Sequence, residues 1–169
     1  MQVMNTAMIW QTSSTASADT EWLGKLLGKL LNPPIVVELL SDLGGGKTTF
    51  VRGLAAGFGS RDRVSSPSFT ISNFYKNRRS QQIHHFDFYR LSEAGIIVDQ
   101  LAESLSDPKV ITVIEWSDIV QGVLPMERLT IEFQPVEISP DERRITITYP
   151  ESQAALIMKL ESQWTGVRP

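Results

Sequence analysis

Residues 35–50 read IVVELLSDLGGGKTTF: a branched apolar run, an acidic turn, three glycines, a lysine and two threonines. No other stretch constrains the fold as much. Consecutive glycines lose more backbone entropy on folding than any other residues, so a chain that keeps three of them uses the bare backbone. Residues 35–40 have the length and branching of a buried parallel strand, interrupted only by Glu38. Past the glycines, Phe50, Val51, Leu54, Ala55 and Phe58 recur at helical spacing, and Gly57 and Gly59 mark the helix end. Strand, glycine turn and helix in direct succession make an α/β unit.

The flanking sequence extends that unit. Residues 7–12 read as a strand, followed by a polar turn with Ser17, Asp19 or Thr20 as helix caps. Trp22, Leu23, Leu26, Leu27, Leu30 and Leu31 mark a helix that stops at Asn32-Pro33-Pro34. Residues 68–75 and 82–89 read as strands around the turn KNRRSQ, and residues 92–105 as a helix capped by Ser92. Residues 110–116 form the second strongly apolar strand. The alternating runs 128–135 and 143–150 suit a hairpin across VEISPDE, and 151–163 a terminal helix with frayed residues after it. The expectation is one domain over residues 1–169, with 150–169 as its C-terminal helix and tail. Its sheet is mixed, with late antiparallel strands and helices on both faces.

Bulk properties narrow the function. The net charge is −3, which argues against a broad basic surface for nucleic acid. With no cysteine, disulfides, thiolate zinc sites and thiol nucleophiles are excluded. No segment reaches the roughly 18 apolar residues of a membrane span, and the N-terminal run lacks a basic leader region. The chain is expected to be cytoplasmic and free of membranes.

The glycine run ends as a P-loop does. Gly46, Lys47 and Thr48 supply the close of Gly-x-x-x-x-Gly-Lys-Ser/Thr, while the first glycine of that pattern falls at Ser41. Bare backbone at Gly44, Gly45 and Gly46 would let N–H groups approach phosphates, and the following helix adds its positive end. Lys47 would reach the β- and γ-phosphates, and the Thr48 hydroxyl would bind Mg²⁺. A glycine-rich turn with no ligand is the alternative. If position 41 needs a positive φ, its serine is strained.

Two carboxylates complete the chemistry. Glu115 ends the strand 110–116 and suits a metal carboxylate; otherwise it faces solvent. Trp116 follows it, so water must be oriented from another strand. Asp87, set among aromatic residues in HHFDFYR, can do so or hold Mg²⁺ through water, or else pair structurally with Arg90. SSPSFT, residues 65–70, is either a γ-phosphate sensor or a plain turn. His84 and His85 face opposite sides of a strand and read as structural.

In their order and spacing, LSDLGGGKTTFVRGLAAGFG, VSSPSFT, HFDFYR and VIEW resemble the TsaE (YjeE) family, over about residues 13–149. The family loop reads Gly-Asp-Leu-Gly-Ala-Gly-Lys-Thr-Thr; here Ser41 replaces its first glycine and Gly45 its alanine, and Ser68 stands where the family's Ser-Pro-Thr-Phe-Thr has threonine. The resemblance implies a P-loop NTPase-like three-layer sandwich with a central mixed sheet. It implies ATP or ADP held by Asp42, Leu43, Gly44, Gly45, Gly46, Lys47, Thr48 and Thr49, and Mg²⁺ held by Thr48 and Glu115. Lys47, Asp87 and Glu115 would serve turnover. It further implies an ATPase that acts on the TsaD and TsaB proteins during threonylcarbamoylation of adenosine 37 in tRNAs reading ANN codons, with tRNA contacted only indirectly or weakly. Two other functions are the alternatives: a small-molecule kinase, for whose arginine lid Arg61, Arg63, Arg78 and Arg79 could be misread, since all four fall in loops, and a nucleotide-dependent binding module with negligible hydrolysis. Trp10 and Thr20 are candidates to border the adenine.

Overall fold

The structure, a computed structural model, describes residues 7–93, 95 and 97–169. Its strands are β1 (Met8–Ser14), β2 (Ile35–Leu40), β3 (Ser72–Lys76), β4 (Gln82–Asp87), β5 (Val110–Glu115), β6 (Leu129–Val136) and β7 (Ser139–Tyr149). Its helices are α1 (Ser17–Leu30), α2 (Lys47–Phe58), α3 (Ile97–Ser106) and α4 (Ala154–Gln163). The strands form one sheet in the order β1-β7-β6-β2-β5-β4-β3. The central four, β6, β2, β5 and β4, run parallel; β7 and β3 run against them, and β1, antiparallel to β7, runs in their direction at the edge. The sheet is therefore mixed, as expected.

Alternation along each strand feeds two apolar layers. Val37, Ile111, Ile131 and Ile147 pack on one face with Leu23, Leu27, Phe50, Leu54, Ile157 and Leu160 of α1, α2 and α4. Val36, Phe86 and Ile114 pack on the other with Leu101 of α3 and Val120 of the 3₁₀ helix Ser117–Val123. Helices thus cover both faces. Among the described residues, no helix is long and apolar enough to cross a membrane.

Several local expectations change. Gly57 lies inside α2, and the helix ends at Gly59, whose φ is 92°. Gly57 and Gly53 face the backbone of α1, where an added Cβ would collide with Lys25 O and Glu21 O. Gly24 and Gly28 of α1 face α2 in the same way, so these four glycines set how closely the two helices pack. The N-cap of α1 is Ala16, which has no capping side chain. Asp19 instead reaches back past the cap to accept from Thr15 N and Oγ1 at 3.1 and 2.8 Å, fixing the chain's entry into the helix. The strand expected from residue 68 begins at Ser72, and the one expected to reach residue 89 ends at Asp87. Of the helix expected over 92–105, residues 94 and 96 lie outside the described residues; the described helix runs from Ile97, so Ser92 is not its cap. The β6–β7 turn is only Glu137-Ile138, because β7 starts at Ser139 and an irregularity at Pro135 and Val136 absorbs the extra residues. The C-terminal residues are tied down rather than frayed. Trp164 Nε1 donates to Thr12 Oγ1 at 2.6 Å, and Arg168 N to Asp19 Oδ1 at 2.9 Å.

Glu38, which breaks the apolar run of β2, is buried opposite the α1–α2 layer. Its Oε1 accepts from Ser117 Oγ and Gln121 Nε2, both at 2.5 Å, and its Oε2 from Arg128 Nε at 2.8 Å and Thr130 Oγ1 at 3.0 Å. Burial alone would raise the carboxyl's pKa; hydrogen bonds from Ser117, Arg128 and Gln121, with the Arg128 charge, outweigh burial and lower it. The stability that Glu38 contributes is therefore complete above its ordinary value of 4.5 and is lost as pH falls through the lowered folded value. Glu38→Gln should cost about 2–4 kcal/mol near neutral pH. It should also flatten the acid limb of stability measured by urea unfolding between about pH 5 and pH 3. An acid limb as steep as that of the unaltered chain would contradict this account.

Candidate active site

The parallel strands β2, β5 and β4 lie side by side, so their C-terminal ends share one edge of the sheet. That edge is where ligands bind in α/β folds. Register places Glu115 of β5 directly opposite both Leu39 of β2 and Asp87 of β4. The two carboxylates singled out in the sequence thus become neighbours through strand pairing alone.

From β2 the chain turns through residues 41–46 into α2. Gly44 and Gly46 have φ of 77° and 104°, a region that glycine alone adopts at little cost. Ser41 is not among the residues with positive φ, so the strain anticipated there is absent. The serine has a different role. Lys47 opens α2, is only 6% exposed, and donates from Nζ to Ser41 Oγ at 2.8 Å, Ser41 O at 3.0 Å and Asp42 O at 3.2 Å. The same ammonium lies 4.7 Å from the centre of the Trp116 ring. Burial lowers its pKa, and the charges of Glu115, Asp87 and Asp42 offset part of that effect.

A cleft of about 200 Å³ opens beside this lysine. Leu43, Gly44, Gly45, Gly46, Lys47, Thr48 and Thr49 line one side; Ser66, Ser68, Asp87, Glu115 and Trp116 line the other. Of the residues assigned to nucleotide from the sequence, only Asp42 is not in the lining; its carbonyl instead accepts from Lys47 and from Gly45 N at 3.1 Å. A second cleft of about 100 Å³ shares Gly44, Gly46 and Thr49 and adds Ser17, Thr20, Asp141 and Arg143. Thr20 therefore borders the glycine loop, whereas Trp10 packs against the α1–α2 apolar layer.

Asp87 is 3% exposed. It accepts from Ser68 Oγ at 2.6 Å, Ser66 Oγ at 3.4 Å and Tyr89 N at 2.9 Å. The pairing with Arg90 is not made, because that guanidinium stacks over Phe69 at 4.2 Å. SSPSFT is thus more than a plain turn: its hydroxyls reach the carboxylate. Glu115 does not face solvent either. His85 Nε2 donates to its Oε1 at 2.8 Å, and His85 Nδ1 lies 3.4 Å from the Tyr75 hydroxyl, which donates to Ser65 O at 3.1 Å. The backbone is strained on both sides of the carboxylates. Ile71, whose carbonyl accepts from Asp87 N, has φ of 69°, and Trp116 has φ of 56°.

Sequence reasoning missed His85, Arg143 and Trp116 as parts of this site. His85 was legible, since residues two apart on a strand share a face and Asp87 was already a candidate. Arg143, whose Nε donates to Gly45 O at 3.2 Å, comes from a strand distant in sequence and left no local signal. The arginines of the kinase alternative do not gather here. Arg78 and Arg79 line a separate cleft with Gly57 and Gly59, at the far end of α2. Among the described residues, no three His, Cys, Asp or Glu side chains cluster as a metal cage. The hard oxygens of Thr48 and Glu115 still suit Mg²⁺, which takes one or two protein ligands and otherwise waters and phosphates.

A seven-stranded mixed sheet flanked by helices, passing from its central parallel strand through a glycine loop into a helix, defines a three-layer α/β protein. Relatives narrow the class. Residues 14–145 match the model of the family described as threonylcarbamoyl adenosine biosynthesis protein TsaE. The tRNA threonylcarbamoyladenosine biosynthesis protein TsaE of Treponema pallidum is 34% identical over 134 residues, covering 79% of this chain and 96% of the relative. The Bacillus subtilis protein of the same name is 34% identical over 139 residues, covering 82% and 84%. The crystal structure of Bacillus subtilis YdiB superposes with a TM-score of 0.74 at 30% identity, over 93% of this chain and 97% of that one. The chain belongs to the TsaE family.

His85→Ala removes the Nε2 donor seated on the buried Glu115 carboxylate. The loss should be about 2–3 kcal/mol of stability in urea unfolding. A change within about 0.5 kcal/mol would show that Glu115 is held by something else.

Proposed function

We propose that the chain binds and hydrolyses ATP in this cleft in support of tRNA threonylcarbamoylation at adenosine 37 of tRNAs reading ANN codons. It acts on a TsaD–TsaB pair so that the pair turns over repeatedly. The observation that carries the reading is the convergence of Lys47, Thr48, Asp87 and Glu115 around a glycine loop at a helix N-terminus. The names of its relatives, which place them in threonylcarbamoyladenosine biosynthesis, supply the process.

Each residue has a task that its surroundings support. Loop N–H groups and the positive end of α2 receive the phosphates. Lys47 exchanges protein oxygens for phosphate oxygens. Thr48 and Glu115 would hold Mg²⁺, with His85 fixing the carboxylate. The ion would supply positive charge against the phosphates. Asp87, oriented by Ser66, Ser68 and Tyr89 N–H, positions the attacking water; phosphoryl transfer needs positioning more than covalent help. The net charge of −3 suits a protein target, with tRNA met only indirectly. The setting proposed is the cytoplasm.

Lys47→Ala should abolish phosphate release measured without an added acceptor, while the melting temperature holds. Turnover at the unaltered rate would remove the P-loop reading. Release that requires a small-molecule acceptor would indicate a kinase, and tight ATP binding without turnover, even with partners, a binding module. Asp87→Asn should bind ATP within about threefold yet hydrolyse it about 10²-fold more slowly. With purified TsaD and TsaB it should support a single round of tRNA modification and then stall; normal cycling would leave Asp87 a structural role.

Thr48→Ala and Glu115→Ala should weaken ADP binding more with Mg²⁺ than without it, as titration calorimetry can compare. Equal losses in the two conditions would take Glu115 out of the metal site.

A further inference from the structure

Three facts meet at Ser41. Its Oγ accepts from Lys47 Nζ at 2.8 Å. The same hydroxyl donates its proton to Asp42 O at 2.9 Å, which leaves its lone pairs to the ammonium. A Cβ built on Gly45 would collide with Ser41 Oγ and come within 2.6 Å of Ser41 Cβ, closer than such atoms approach. Gly45 is not among the glycines with positive φ, so its backbone does not itself demand glycine. The next neighbour of that Cβ is Asp42 O at 3.1 Å, a tight but small adjustment. What keeps a side chain off position 45 is the serine.

An ammonium has three protons, and here three protein oxygens receive them: Ser41 Oγ, Ser41 O and Asp42 O. A phosphate oxygen that accepts from Nζ must displace one. Two are backbone carbonyls fixed by the loop. The third is a hydroxyl on a rotatable side chain, and it sits where the general P-loop pattern has a glycine with no such group.

We propose that Ser41 and Gly45 are a matched pair in which the Ser41 hydroxyl latches Lys47, competes with phosphate for the ammonium, and thereby loosens the hold on nucleotide. The serine side chain takes the volume that a side chain at 45 would fill, and glycine at 45 makes room for it. The latch rests on the nucleotide reading of the cleft; the pairing does not. Faster release of ADP follows for an ATPase that must cycle, since weaker holding is expressed mainly in the off-rate.

Five variants separate steric fit from latch: Ser41→Gly, Ser41→Ala, Gly45→Ala, and Gly45→Ala combined with each change at 41. Ser41→Ala removes the hydroxyl but keeps the Cβ that blocks position 45. Without nucleotide, Gly45→Ala alone should lower Tm by about 5 °C. Together with Ser41→Gly it should restore Tm, and together with Ser41→Ala it should not. Binding of Mg·ADP by calorimetry should tighten by about three- to tenfold in both Ser41→Gly and Ser41→Ala. A Gly45→Ala chain as stable as the unaltered one overturns the pairing. Unchanged or weaker Mg·ADP binding by Ser41→Ala overturns the latch. If no protein of the set binds Mg·ADP, the nucleotide reading itself fails, while the melting series still decides the pairing.

Discussion

The site is organised by a buried cation in an unfavourable place. Lys47 opens α2, where the helix end carries a partial positive charge, and its ammonium is nearly out of solvent. Desolvation and the helix dipole both oppose that charge. Two backbone carbonyls, a hydroxyl, the face of Trp116 and the carboxylates of Glu115 and Asp87 offset them. Each carboxylate then needs partners of its own. His85 serves Glu115; Ser66, Ser68 and Tyr89 N–H serve Asp87. The loop 65–70 is thereby drawn onto the site and held to β4.

The sheet makes this convergence possible. Parallel pairing of β2, β5 and β4 brings three strand ends together, and their register sets Asp87 and Glu115 side by side. Side-chain alternation divides the acids by face. Glu115 shares a side with Val113 and the α2 layer, whereas Glu38 points to the opposite layer, where Ser117, Gln121, Arg128 and Thr130 saturate it. One glutamate holds the far layer together and the other serves the cleft. Left-handed backbone at Ile71 and Trp116 falls beside the cleft, where surrounding contacts can sustain it.

How far the sequence reaches follows the range of the forces involved. The α/β class, the strand–loop–helix unit and the two strand-end carboxylates rest on local periodicity and strand ends, and all were legible. The bare backbone of the glycine triplet was legible too, but its causes were not. Gly44 and Gly46 are dictated by φ, Gly45 by a side chain four residues earlier. Gly57 looked like a helix end because its partner, the backbone of α1, is more than thirty residues away. Residues 68–71 carry strand-like side chains, yet bonds from Ser66 and Ser68 to Asp87 override that propensity. Arg143 reaches the loop from β7 through tertiary structure alone.

The central claim is that the cleft at the start of α2 receives nucleotide phosphates. Backbone amide shifts in a ¹⁵N-labelled chain titrated with Mg·ADP test it most directly. The account predicts the largest perturbations at Gly44, Gly45, Gly46, Lys47 and Thr48, with smaller ones at Asp87, Glu115 and Trp116. Perturbations centred instead on Lys29, Arg78 and Arg79 at the far end of α2, or none at saturating Mg·ADP, would contradict it.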